Sequence, residues 1–197
     1  MITAVILARA GSKRLPGKNT MVIGGRPMVA WSILEASRAC FVDEIIVSSN
    51  DDEALSIAEE YGAIPLHRPT FLAQDTTSSY GPLLHAISYS DMVDDLTHAI
   101  LLQPTSPLRL AIDIDRCVNT CIEMGLPAAQ TCEVGKEVAN GAVYVGEIGW
   151  LRAGGNWDEP LAKLVPMPPE RSVDIDTAED FENARLIIEG NREINTA

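Results

Sequence analysis

Four cations crowd one glycine-punctuated stretch: Arg9, Lys13, Arg14 and Lys18, in the run LARAGSKRLPGKN from Leu7 to Asn19. Cationic side chains among glycines suit a polyphosphate. Backbone N–H groups in such a turn can aim at phosphate oxygens, and lysine or arginine neutralises the charge. The run is not a Walker loop, which needs four residues between its glycine and a Gly-Lys-Ser/Thr. Here five residues separate Gly11 from Gly17-Lys18, and Asn19 follows. The dinucleotide pattern G-x-G-x-x-G is absent as well. Taken alone, an ordinary basic loop fits the same residues.

A second constellation lies near the other end, in SVDIDTAEDF. Asp174 and Asp176 are two apart in an extended segment, so their side chains share one side. Two carboxylates on one edge suit Mg²⁺, which takes one or two carboxylates plus phosphate oxygens of a ligand. Alone, the pair also fits acids gathered at a helix N-terminus, where the helix dipole favours them. Thr177 with Asp180 reads as a capping box opening the last helix. Joined to a phosphate loop, the pair reads as a metal platform.

These residues need a scaffold, and the periodicity supplies one. Ile2–Leu7 is a short apolar run of the kind buried on both faces of a sheet. The pattern predicts a loop over 8–25, a helix over 28–38, a strand over 44–48 and a helix over 53–61 capped by Asp51 or Asp52. It continues with a strand over 63–66, a helix from Ser78 or Ser79 to about Tyr89, a strand over 98–102 and a helix over 113–124. Strands over 128–132 and 142–145 and a helix over 178–189 complete it. Strands alternating with helices predict an α/β fold with a mainly parallel sheet. The basic run then leaves the carboxyl end of the first strand, where open α/β sheets bind ligands. No repeat or linker divides the 197 residues, so one domain is expected over 1–197.

Composition narrows the partners. The chain carries 15 basic and 28 acidic residues, a net −13, yet residues 1–34 hold five cations and no acid. A basic patch confined to one loop of an acidic protein suits a small polyanion. The overall balance and 5% aromatics speak against a nucleic-acid surface. No apolar run approaches the roughly 20 residues needed to span a bilayer. The opening apolar stretch is short and precedes its basic residues, unlike a secretory leader, so a cytoplasmic location is expected. Cys40, Cys117, Cys121 and Cys132 contain no CxxC pair, which speaks against zinc, and Cys117 and Cys121 read as buried thiols.

The chain resembles the acylneuraminate cytidylyltransferases, the CMP-sialic acid synthetase group. Five pieces carry the likeness in order: LARAGSKRLPGKN, RPTFLAQDTTSS (68–79), LLQPTSPLR (101–109), NGAVYV (140–145) and SVDIDT (172–177). The resemblance implies a Rossmann-like nucleotidyltransferase fold with helices on both faces of the sheet. It also implies a reaction of CTP with an acidic 2-keto-3-deoxy sugar, giving a CMP-sugar and pyrophosphate with Mg²⁺. It places Arg9, Ser12, Lys13, Lys18 and Asn19 on the CTP phosphates and nucleotide, with Arg9, Lys13 and Lys18 acting on the transferring phosphate. Arg68 and the turn from Asp75 to Ser79 fall to cytosine and ribose. Gln103, Asn140 and Tyr144 fall to the sugar, and Asp174 and Asp176 to the metal.

Two departures bear on the acceptor. Arg14 stands where many sialic-acid enzymes have glycine. Only EVGKEVA joins Cys132 to Asn140, where the family carries a longer excursion that supplies basic sugar contacts and homodimer contacts. Lys136, with Arg109, is left as the partner for a sugar carboxylate, and the short connection leaves a homodimer possible but alters or removes the usual one. An octulosonate cytidylyltransferase is the nearest alternative, although that type usually has an acid where Gln103 stands. A noncatalytic CTP-binding relative is the other.

Overall fold

The computed structural model describes residues 1–158 and 161–190. A seven-stranded sheet lies at its centre. Its strands are β1 (Ile2–Leu7), β4 (Glu44–Ser49), β5 (Ile64–His67), β6 (His98–Leu102), β7 (Ala128–Glu133), β8 (Ala139–Glu147) and β9 (Ala162–Met167). The spatial order is β5-β4-β1-β6-β8-β7-β9. Every pairing is parallel except the two made by β8, which runs against both β6 and β7. The expected mainly parallel α/β architecture is what forms.

Burial is nearly continuous along the central strands, as a sheet covered on both faces requires, while successive residues point to opposite faces. Ala4 and Ile6 of β1 face a core with α1 (Met28–Arg38), α2 (Asp52–Glu60) and α4 (Ala111–Glu123), whereas Val5 faces α3 (Tyr80–Ser88) and α5 (Ile148–Arg152). Cys117 and Cys121 are buried in the first of these cores, as their spacing on α4 implies. Among the described residues no helix is long and apolar enough to cross a membrane.

A third, smaller core sets the position of the functional segments. A two-stranded ribbon, β2 (Val22–Ile23) and β3 (Arg26–Pro27), turns through Gly24 and Gly25, both with positive φ (56° and 79°). Two successive left-handed residues are the geometry of a tight hairpin and suit glycine. A Cβ on Gly24 would collide with the Ile188 side chain, so the close approach of α6 (Ala178–Gly190) also demands glycine there. Ile23, Trp31, Leu108, Ile175 and Ile188 pack together here. Ile175 is fully buried, which turns the flanking Asp174 and Asp176 away from this core. The last helix opens as expected. Thr177 Oγ1 accepts the Asp180 N–H at 3.2 Å, and Asp180 Oδ2 accepts the Thr177 N–H at 2.8 Å.

The differences from the sequence expectation lie at element edges. α4 begins at Ala111, before Asp113, because the Asp113 carboxylate accepts the Leu110 N–H at 3.1 Å and caps the turn from inside. Ser79 occupies the position before α3 but makes no side-chain cap. β8 extends from Ala139 to Glu147, well past the expected 142–145. The strand β9, the short helix α5 and the small ribbon are additional elements.

Candidate active site

The loop after β1 folds back over the carboxyl ends of the parallel strands and walls a cleft of about 500 Å³. Ala10 N–H donates to Asn50 Oδ1 at 2.9 Å, and Asn19 Nδ2 donates to the Arg9 carbonyl at 2.9 Å. Asn19 is buried and thus braces the loop as well as lining the cleft. Arg9, Ser12, Lys13, Arg14 and Lys18 all face this cavity. Arg68, Asp75 and Ser79 form the opposite wall. Five cations therefore line the cleft against two carboxylates, Asp75 and Asp176.

Those two acids divide the cations between them. Asp75 pairs with Arg9 at 2.7 Å and Lys13 at 2.5 Å. Lys13, and then Arg9, hold its carboxyl below the usual carboxylate range. Asp176 pairs with Arg14 at 2.9 Å and Lys18 at 3.0 Å, and Lys18 Nζ also donates to the Ile175 carbonyl at 3.0 Å. The loop is thus tied to the far wall on one side and to the acidic segment on the other.

Arg68 is only 2% exposed. Its Nε donates to Ser48 Oγ at 3.1 Å and its Nη2 to the Ser48 carbonyl at 2.5 Å. Burial, with Arg9 nearby, pushes its guanidinium down to about 10, so it remains charged at neutral pH. A cation held this firmly is preorganised for an anion or a polar base.

A second cavity of about 360 Å³ adjoins the first, and Gln103 lines both. Lys136, Asn140, Tyr144, Glu133 and Asp174 also surround it. Gly141 lies here with φ +83°, and a Cβ added to it would approach Gln103 Oε1 and the Asp174 carboxylate at 3.8–3.9 Å. Desolvation by the surrounding walls is the main influence raising the carboxyl of Asp174, with a contribution from Asp176. Thr105 opposes the shift by hydrogen bonding to the carboxylate. Tyr144 packs edge-on to Trp157 with ring centroids 5.5 Å apart, and burial pushes its phenol up. Lys136 is paired with Glu133 at 2.7 Å.

Arg109 departs from expectation. It lines neither cavity and is 1% exposed. Its Nη1 donates to the Ala142 carbonyl at 2.8 Å and its Nη2 to Ser32 Oγ at 2.6 Å, so it joins α1 to β8 beneath the site. Burial pushes it down to about 10. Its bonds tie the fold together, and it lines neither of the clefts. Asn140 lines the second cavity, but its amide is consumed by the protein. Oδ1 accepts from Thr131 Oγ1 (2.7 Å) and the Ala142 N–H (3.2 Å), while Nδ2 donates to Ser172 Oγ (3.0 Å) and Met167 Sδ (3.4 Å).

With two adjoining clefts at the strand ends, comparison with known proteins becomes specific. A family model described as cytidylyltransferase matches residues 3–137. The chain belongs to the cytidylyltransferase family. It is 41% identical over 110 residues to the CMP-N,N'-diacetyllegionaminic acid synthase of Legionella pneumophila, covering 55% of this chain and 47% of that one. It is 40% identical over 118 residues to the N-acylneuraminate cytidylyltransferase of Escherichia coli, covering 60% and 27%. A pseudaminic acid cytidylyltransferase of Campylobacter jejuni is 38% identical over 106 residues, covering 53% and 46%. The matched stretches span about half or less of these curated relatives.

Solved cytidylyltransferase structures share the fold over nearly the whole chain. A CMP:2-keto-3-deoxy-manno-octonic acid synthetase complexed with CTP superposes with a TM-score of 0.73 at 18% identity, covering 96% of this chain and 98% of that one. A cytidylyltransferase from Leptospira borgpetersenii gives 0.76 at 19% identity, covering 96% and 87%. Within this chain, the family match contains the basic loop, Arg68, Asp75, Ser79 and Gln103, and ends before Asn140, Tyr144, Asp174 and Asp176. The assignment of those last four rests on the resemblance and on their places around the clefts.

Several participants carry no sequence signal of their own. Ser48 fixes Arg68 from 20 positions away. Glu133 pairs with Lys136 but looks unremarkable in the sequence, and Thr105 bonds to Asp174. The expected TSP stretch after Gln103 did contain Thr105, so that motif is the signal that finds it.

Proposed function

We propose that this chain transfers CMP from CTP to an acidic 2-keto-3-deoxy sugar of the nonulosonic class, releasing pyrophosphate. The observation that carries the reading is the five-cation cleft opening, past Gln103, onto a second cavity with the Asp174–Asp176 segment at the junction. The names of the relatives support the acceptor class. CTP occupies the first cleft, with its phosphates against Arg9, Lys13 and Lys18 and its base and ribose toward Arg68, Asp75 and Ser79. The sugar occupies the second, beside Gln103, Lys136 and Tyr144.

The sugar's anomeric oxygen forms a bond to the α-phosphorus, the bond to the pyrophosphate oxygen breaks, and the hydroxyl proton leaves. Catalysis of such a step is mainly alignment and neutralisation of phosphate charge. Preorganised cations supply the second, and the shared Gln103 wall brings the reactants side by side. None of His67, His85 and His98 lines either cavity, which leaves the proton to groups other than histidine.

The donor set suits Mg²⁺ as a partner of the ligand. No cluster of three or more His, Cys, Asp or Glu among the described residues could hold a metal alone. Asp174 and Asp176 provide the one or two carboxylates that Mg²⁺ uses when phosphate oxygens complete its shell. Their mutual repulsion, which contributes to the raised carboxyl of Asp174, is the kind of strain a cation relieves. When bound, Mg²⁺ would offset charge on the phosphates and the leaving group.

The test is pyrophosphate release measured across CTP, ATP, GTP and UTP with nonulosonic and octulosonic acids. Selective turnover of CTP with a nonulosonic acid is expected. Absence of turnover with every pair would overturn the reading, and turnover confined to octulosonate would move the acceptor to that class.

Lys136 gives a sharper check on the acceptor. A desolvated sugar carboxylate needs a cationic or N–H partner. With Arg109 tied into the core, Lys136 is the cation lining the second cavity. Lys136→Ala should raise the KM for the sugar by roughly 10-fold while changing the KM for CTP by less than about twofold. Indifference of the sugar KM would mean that another group holds the carboxylate.

A further inference from the structure

Arg171 lies three residues before Asp174, and no role described above uses it. Its Nε and Nη2 donate to Asp113 Oδ2 and Oδ1, both at 2.8 Å, so the guanidinium grips the carboxylate with two parallel bonds. Asp113 is completely buried in the first turn of α4. A buried carboxylate requires charge compensation and satisfied lone pairs, and this fork supplies both. The fork therefore refers the backbone at residue 171 to the start of α4, immediately after the loop that carries Gln103.

The neighbouring residues are held from other directions. Asn140 Nδ2 donates to Ser172 Oγ at 3.0 Å, which ties residue 172 to β8. The Ile175 N–H donates to the Thr105 carbonyl at 2.8 Å, which ties residue 175 to the exit loop of β6. Asp174 is suspended between these anchors, and Asp176 follows directly. Thr105 belongs to the wall of the first cleft and Asn140 and Ser172 to that of the second, whereas Arg171 and Asp113 line neither, and their fork alone among the anchors is an ion pair.

We infer that Arg171 is a positioning residue: its fork on buried Asp113 fixes the Asp174–Asp176 stretch at the junction of the two clefts. The inference rests on the cytidylyl-transfer reading for its effect on rate. It does not place Arg171 on either substrate. A misplacement of about 1 Å in a transfer site can cost on the order of 100-fold in rate, so a remote anchor can act strongly on turnover. Lysine can replace the charge but not the two-pronged geometry.

The test compares Arg171→Gln, Arg171→Lys and the double variant Arg171→Gln/Asp113→Asn. Arg171→Gln should lower kcat at least about 10-fold with the KM for CTP changed less than about twofold, because the substitution removes none of the cations that line the first cleft. Arg171→Lys should recover part of the loss. The double variant removes the buried charge together with its partner, so it folds even where Arg171→Gln does not. It should share the kcat deficit without adding to it. Hydrogen exchange supplies a readout independent of turnover. The Ile175 amide should exchange at least about 10-fold faster in Arg171→Gln or the double variant, while amides of β1 and β6 keep their protection. Unchanged kcat in a folded variant overturns the inference, as does a rise in the CTP KM parallel to the loss of kcat. If the wild-type chain turns over no substrate pair, the functional reading fails. Unaltered Ile175 exchange would separately overturn the positioning role, and accelerated exchange confined to that segment would uphold it.

Discussion

Asp176→Asn should reduce kcat on the order of 100-fold while the folded state persists. The carboxylate is the hub of the acidic segment, pairing with Lys18 at 3.0 Å and Arg14 at 2.9 Å. An amide of the same shape keeps the packing but loses the charge that balances two cations and that a Mg²⁺ ion prefers. Stability should change little. The side chain is 33% exposed, and pairs of that kind contribute roughly 0.2–1 kcal/mol. The segment is instead anchored by Ile175, whose fully buried side chain contributes about 2 kcal/mol of apolar burial. Thermal unfolding and pyrophosphate release measured on the same preparation separate the two effects. A folded variant with near-normal turnover in Mg²⁺ would remove Asp176 from the metal and phosphate machinery. A fall in melting temperature matching the loss of rate would make it a structural residue.

The central sheet was legible because its strands are continuous apolar runs. Ile2–Leu7 and His98–Leu102 form as the pattern implies, and α1 begins and ends where its apolar face and Pro27 require. β9 was hidden by its own sequence, AKLVPM. Lysine and proline interrupt any simple alternation, and proline usually demotes a run. The strand tolerates both because it lies at the sheet edge and pairs only with β7. There the same residues discourage further strand addition. The antiparallel insertion of β8 was equally hidden. Strand direction depends on which neighbour the chain meets, and local periodicity carries no such information.

The site divides along similar lines. The first cleft was readable because phosphate chemistry demands charge, and four of its cations, Arg9, Lys13, Arg14 and Lys18, come from a stretch without an acid in an acidic chain. Residue type alone could not separate a cation that meets a ligand from one that stitches the fold. Arg109 and Arg68 are both buried arginines following a strand, yet Arg68 opens on the cleft while Arg109 spends its donors on Ser32 and backbone carbonyls. The difference depends on contacts up to 77 positions away. Asn140 shows the same gap. Its place beside the second cavity was recoverable, whereas three of its four internal partners depend on β7, β9 and the segment after it.

Lys18→Met should lower kcat/KM for CTP by on the order of 100-fold or more, the largest effect expected from any single loop cation. Lys13 is 79% exposed on its side chain and shares Asp75 with Arg9, so solvent and a neighbour can replace much of its charge. Lys18 is only 13% exposed and sits where the basic loop meets the acidic segment. Two of its three donors are taken by the Ile175 carbonyl and Asp176, each at 3.0 Å, which leaves one for a phosphate oxygen. A positive charge that is partly desolvated and already oriented acts more strongly on developing phosphate charge than one in water. Methionine preserves the length of the stem, so the loss of charge is tested without opening a large void. Lys18→Gln separates the two jobs, since its amide can still donate to a carbonyl but carries no charge. Calorimetric CTP affinity and pyrophosphate release should fall in both variants. Near-normal kcat/KM in the glutamine variant would show that Lys18 acts as a loop tie and would move phosphate neutralisation to Arg9, Lys13 and Arg14.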